Sequence, residues 1–254
     1  MKKILLNFTA LLFITGTIYS QDFYFGISSG LMKGVYSKTE QNDYIKDRIN
    51  ALSCPSINFT FSAIFKNNIE IETGIMYYPY PHNVAFRWDT IGATGSFTKG
   101  YFSLNGIAYH AFSLPIHIGY KVKLANRLYA NVYSGLNFDF YFGNSTVGMG
   151  GGSMGDIYVS VSTENALKQQ FNILLSNKVS LQYFTKFNMG ISLYAAYYSG
   201  LFSIWESYAY ANYHDVKIFH NTLLSRGSYW NFGIELGYKL EKNREKKTKK
   251  SEMK

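Results

Sequence analysis

The sequence predicts an all-β protein, an antiparallel up-and-down transmembrane β-barrel of eight strands with long extracellular loops and short periplasmic turns. Three observations lead there. Extended segments alternate apolar and polar residues with a period of two. The connections between them alternate strictly between short and long. The polar faces collect glycines, whereas the apolar faces are bulky. Tight turns at one end and long loops at the other are the asymmetry of outer-membrane barrels.

The first element is a leader. Met1 to Ser20 reads as a secretory signal peptide, with Lys2-Lys3, an apolar stretch around Ile4 to Ile14, and cleavage expected between Ser20 and Gln21. Beyond it no run approaches the roughly 18 consecutive apolar residues of a membrane helix. An exported chain of this kind is either free outside the inner membrane or inserted as a closed barrel. Cys54 is the single cysteine of the chain and cannot form an internal disulfide; it is expected to be an inert loop residue.

Eight strands follow, expected at Phe23–Leu31, Ser56–Phe65, Ile69–Tyr78, Phe112–Val122, Leu128–Phe142, Lys178–Thr185, Met189–Leu201 and Tyr229–Leu240. The short joins are Lys66-Asn67-Asn68, Ala125-Asn126-Arg127 and Lys186-Phe187-Asn188. The long ones cover about 34–55, 79–111, 143–177 and 202–228. The Phe97–Asn105 stretch is able to form an extra hairpin, which would make ten strands.

Alternation alone does not say which face is concave. In the fifth strand Leu128, Ala130, Val132, Ser134, Leu136, Phe138, Phe140 and Phe142 oppose Tyr129, Asn131, Tyr133, Gly135, Asn137, Asp139 and Tyr141. An eight-stranded barrel has an interior just wide enough for side chains to fill it. The bulky apolar faces would overfill that space, while the glycine-bearing polar faces fit it, so the polar set is assigned to the lumen and the apolar set to lipid. Aromatics such as Tyr77, Tyr120, Phe142, Tyr197, Trp230 and Tyr238 gather toward strand ends, where interfacial girdles belong.

Two stretches carry a resemblance. Phe112-Ser113-Leu114-Pro115-Ile116-His117-Ile118-Gly119-Tyr120-Lys121 and Tyr197-Tyr198-Ser199-Gly200-Leu201, with a leader ending before Gln21, resemble the small outer-membrane β-barrel proteins of Bacteroidota. The resemblance covers nearly all of the mature chain and implies outer-membrane residence. In one respect the sequence departs from that pattern: Tyr238 and Leu240 are followed by fourteen residues rather than closing the chain.

Charge narrows the partners. The net +9 divides into +2 from residues 1–20, +4 from 241–254 and +3 from the body. Nucleic-acid binding would want the basic charge on a folded face with aromatics interleaved, so nucleic acid is not an expected partner. The barrel domain is placed at 21–240 and a basic, disordered periplasmic tail at 241–254. Expected partners are outer-membrane lipid and lipopolysaccharide, the barrel-assembly machinery, and an envelope protein reached through the loops or the tail.

The ionisable residues of the polar face form the candidate site. Glu70, Glu72, His117, Lys121, Asp139, Glu235 and Lys239 are expected to make a lumenal polar network, because charge away from water persists when paired. A narrow proton or ion pathway is the functional alternative for the same residues. Glu70 and Glu72 lie about 7 Å apart on one strand face, a spacing nominally compatible with glycosidic acid–base chemistry, but no cleft is legible between them. Trp88, Trp205, Tyr208, Tyr210 and Tyr213 fall in long connections, as recognition candidates that either pack over the barrel mouth or extend strands above the bilayer.

No enzyme or cofactor signature is present. The Gly148–Gly155 run lacks the terminal Lys-Ser/Thr and helix of a phosphate loop. The five histidines lack the spacing of a metal site. His117 and Ser113 share a strand face but stand roughly 13 Å apart. The expected role is structural or recognition. The alternatives are a component of a secretion or assembly machine and a lipid-A-modifying barrel enzyme.

Overall fold

The computed structural model describes residues 22–38, 53–65, 67–91, 97–142, 150–154, 157–162, 169–213 and 216–241, with side chains placed for 22–35, 53–65, 67–80, 109–142, 169–204 and 225–241. The expected leader, 1–20, and the tail beyond Glu241 lie outside the described residues. Eleven strands and no helix occur among them: β1 (Asp22–Lys38), β2 (Ser53–Ile64), β3 (Ile69–Ile91), β4 (Phe97–Ala125), β5 (Leu128–Phe142), β6 (Gly150–Met154), β7 (Ile157–Ser162), β8 (Phe171–Phe184), β9 (Met189–Gly200), β10 (Trp205–Tyr213) and β11 (Val216–Glu241).

Eight of these close the barrel in the order β1-β2-β3-β4-β5-β8-β9-β11, and β1 returns to β11 through antiparallel pairs from Asp22↔Glu241 to Val35↔Ser228. Closure satisfies every strand edge internally, the condition for spanning hydrocarbon. The barrel therefore has eight strands rather than ten. Phe97–Asn105 is the first part of β4, paired with β3 from Ile91↔Phe97 onward, and lengthens an existing hairpin instead of adding one. Residues expected in long connections likewise continue the strands. β10 pairs with the first part of β11, β7 with β10 and β6 with β7, forming a side sheet. Cys54 is a buried residue of β2 and not a loop residue.

The short turns have a common build. Phe65 N–H donates to Ile69 O at 2.8 Å around residues 66–68, and Thr185 N–H to Met189 O at 2.8 Å around 186–188. Asn68, Arg127 and Asn188 are left-handed, with φ of 63°, 68° and 59°. Asparagine tolerates this region well. The carbonyl of each left-handed residue then accepts a backbone N–H from the neighbouring hairpin or closing strand: Asn68 from Lys121, Arg127 from Phe184 and Asn188 from Lys239, each at 2.8–2.9 Å.

Face assignment follows the period of two throughout. Ile27, Phe59, Ile118, Val132, Val179, Leu193, Ile234 and their outward neighbours are exposed. Ser28, Thr60, Glu72, His117, Asn137, Lys178 and Glu235 are buried on the opposite faces. A soluble barrel has this polarity reversed. A continuous outer wall of Ile, Leu, Val and Phe is stable against hydrocarbon and would be an aggregation surface in water.

Candidate functional site

The lumen is filled by three layers of side chains. At the turn end, Lys121 Nζ approaches Glu70 Oε2 at 3.3 Å across β3 and β4, two members of the expected lumenal network. Its ammonium also lies over the rings of Phe184 (5.3 Å) and Tyr129 (5.7 Å). Tyr24, Ile64 and Phe184 pack together beside it and seal that end.

The middle layer centres on Lys178, from β8. Its ammonium donates to both oxygens of Glu72, at 2.9 and 2.8 Å, and stands 3.6 Å from Glu235 Oε2. Rings of Tyr133 and Tyr194 flank it at 5.1 and 5.5 Å. Thr60 Oγ1 donates to Glu235 at 3.2 Å. His117 bridges the layer to β5: Nδ1 faces Glu72 Oε1 at 3.1 Å and Nε2 faces Asn137 Oδ1 at 2.9 Å. Both ring nitrogens thus have a side-chain partner across the lumen. Asn137 Nδ2 in turn donates to Ser113 Oγ at 2.9 Å, so an amide stands between Ser113 and His117 where a nucleophile–base pair would need a direct bond.

The outer layer is built from tyrosine. The Tyr78 and Tyr141 hydroxyls both donate to Asp139 Oδ2, the latter at 3.2 Å. Tyr229 stacks on Tyr198 at 4.4 Å and tilts against Tyr78 at 5.0 Å. Tyr80 pairs with Ser225 at 2.9 Å. Rings from β3, β5, β9 and β11 therefore close the lumen at this level.

Little space is left between the layers. The roomier of the two voids around Lys178 holds about 10 Å³, the space of at most one water molecule. Lys178 and Tyr194 border both voids and form the partition between them. Among the described residues no group of His, Cys, Asp or Glu is arranged to hold a metal ion.

The structure thus brings Glu70 to Lys121, His117 directly to Glu72, and Glu235 to Glu72 through Lys178, while Asp139 sits apart among tyrosines. Lys239 departs from the expected network: it lies at the turn-end rim, 3.0 Å from Asp22 and 3.3 Å from Glu241. Its position next to the end of β11 leaves it beyond the packed lumen. Lys178, Asn137 and the tyrosine layer were not singled out by sequence reasoning. The parity of Lys178 with Ser180 and Gln182 was the available signal for the first.

Trp88 lies in β3, opposite Gly100, and Trp205, Tyr208, Tyr210 and Tyr213 lie in β10.

Among solved structures the chain is similar to the outer membrane protein OprG from Pseudomonas aeruginosa, at 14% identity over 88% of this chain and 98% of that one, with a TM-score of 0.49. It is also similar to Neisserial surface protein A, at 10% identity over 87% and 97% with a TM-score of 0.41. The outer membrane protease OmpT from Escherichia coli gives 10% identity over 88% and 97%, with a TM-score of 0.40. No family model matches the sequence, and no curated protein matches it.

Proposed function

We propose that this protein is an outer-membrane barrel with a side-chain-plugged lumen, a rigid scaffold that carries its extended strands outward as a contact surface. One observation carries the reading: the lumen is packed through three successive layers, while β3, β4, β10 and β11 run on past the last of them. A barrel whose interior is occupied by paired charges and stacked tyrosines has no path for solutes. Recognition then falls to the strands that extend beyond the lumen.

The test is electrical. Purified protein in planar lipid bilayers is expected to give no steady conductance steps, and reproducible steps would overturn the plugged-scaffold reading. Residence in the outer membrane is checked separately by gel mobility of the extracted protein with and without boiling. A folded barrel migrates differently before boiling, and a heat-independent mobility counts against it.

A further inference from the structure

Charge is distributed unevenly along the barrel axis. Lys66 belongs to the β2–β3 turn by sequence, Lys123 and Arg127 flank the β4–β5 turn, and Lys186 opens the β8–β9 turn. Where β1 closes on β11, Asp22, Lys239 and Glu241 contribute a net −1, and residues 242–254 hold seven Lys/Arg against two Glu, or +5. The four turn cations, the closure and the tail together carry +8. The chain's +9 less the +2 of residues 1–20 leaves +7, so everything else in the mature chain carries a net −1. Among the described residues, Lys123, Arg127 and Lys186 thus stand at the turn end of the barrel.

The three described turn cations are not used internally. Lys123 and Lys186 are exposed and Arg127 is half-buried, and none of the three forms an ion pair with a described carboxylate. Large apolar rings stand beside them on the outer wall: Tyr120, Tyr183, Tyr238 and Phe187, the last 80% exposed at the tip of its turn. Next to Lys186 a shallow, open depression in the outer wall crosses the paired Gly26 and Gly237, bordered by Phe25, Ile27, Met189 and Leu236. It is continuous with the lipid-facing belt.

We propose that this turn-end collar is a binding site for anionic phospholipid. An acyl chain lies in the depression, its phosphate is held by Lys186, and Lys123 and Arg127 hold further headgroups around the rim. The placement decides for a lipid over a soluble polyanion. Cations interleaved with interfacial aromatics, at the edge of an apolar belt, sit at headgroup depth. A soluble polymer would leave the depression and the exposed Phe187 ring in water. The inference rests on the membrane-barrel reading, which boiling-dependent gel mobility tests independently.

The experiment is native mass spectrometry of the full mature chain in non-ionic micelles, titrated with phosphatidylglycerol and phosphatidylcholine of matched acyl chains. The protein is expected to retain phosphatidylglycerol preferentially. The triple variant Lys123→Ser/Arg127→Ser/Lys186→Ser is expected to lose that affinity roughly a hundredfold, about fivefold per cation, with phosphatidylcholine unchanged. Phe187→Ala is expected to weaken both lipids alike, and a chain ending at Glu241 to keep the preference. Heat-modifiable mobility of each variant establishes that the barrel is intact. Equal retention of the two lipids, full retention by a folded triple variant, or loss caused by tail removal alone would each overturn the proposal.

Discussion

Replacing Lys178 by methionine keeps most of the side-chain volume and removes the ammonium that joins Glu72 to Glu235. At 2.8 Å and an effective dielectric near 20, the gross attraction to Glu72 is about 6 kcal/mol, and that to Glu235 at 3.6 Å about 5 kcal/mol. Much of this is offset in the native protein by desolvation of the ammonium. The variant, however, retains two buried carboxylates with their shared cation gone, and breaking a buried pair in this way costs about 3–5 kcal/mol. The measurement is equilibrium urea unfolding in detergent micelles, followed by tryptophan fluorescence and heat-modifiable gel mobility. Adding Glu72→Gln to Lys178→Met is expected to recover a large part of the loss, because the second change removes a stranded charge. A loss below about 1 kcal/mol for Lys178→Met, or no recovery in the double variant, would refute the central role given to this cation.

Other perturbations test the remaining layers and the outer wall. Lys178→Ala joins the two small lumenal voids but leaves the Tyr24–Ile64–Phe184 seal and the tyrosine layer in place, so no conductance steps are expected in planar bilayers, and steady steps would refute the sealing role given to the two end layers. Leu193, 59% exposed on the outer wall of β9, is expected to cost about 2–4 kcal/mol when changed to Arg and little when changed to Phe, read by unfolding in lipid vesicles. A Cβ at Gly119 would overlap the Tyr133 ring that packs on it, so Gly119→Ala is expected to destabilise by about 1–3 kcal/mol, with Tyr133→Leu relieving part of the loss. Tyr78→Phe leaves the buried Asp139 carboxylate short of one donor and is expected to cost about 1–3 kcal/mol by the same unfolding assay.

The parts of this fold that were legible in the sequence are those where lipid imposes a rule. Inward Glu235 between outward Ile234 and Leu236, or Asn131 between Ala130 and Val132, can be read from alternation because one face meets hydrocarbon and the other a polar interior. The rule weakens where the strands leave that environment. Segments 79–91 and 97–111 read as one long connection because Pro79, Pro81 and a register shift after Tyr80 interrupt the period, although the backbone continues as β3 and β4. Lys178 was placed at the start of its strand for a related reason. Residues 171–177 put Leu174 on the lumenal side and Asn177 on the outer side, against the expected polarity, and this hid seven residues of β8. With β8 begun at Phe171, the lysine falls at mid-depth, level with Glu72. The tyrosine layer was illegible for a different reason: alternation turns Tyr141 inward, but Tyr78, Tyr141, Tyr198 and Tyr229 come from four strands, and no local pattern says that their rings meet at one level.

The three left-handed turn residues have a consequence for the barrel as a whole. Each lends its carbonyl to the adjacent strand, so the rim works as an index mark that sets the stagger of one hairpin against the next. Sliding β4–β5 by one residue along β3 would separate Asn68 from Lys121 and exchange the lipid and lumen sets of that hairpin. The shear of the cylinder, and with it the vertical alignment of every lumenal layer, is thereby referenced to three peptide groups at its base.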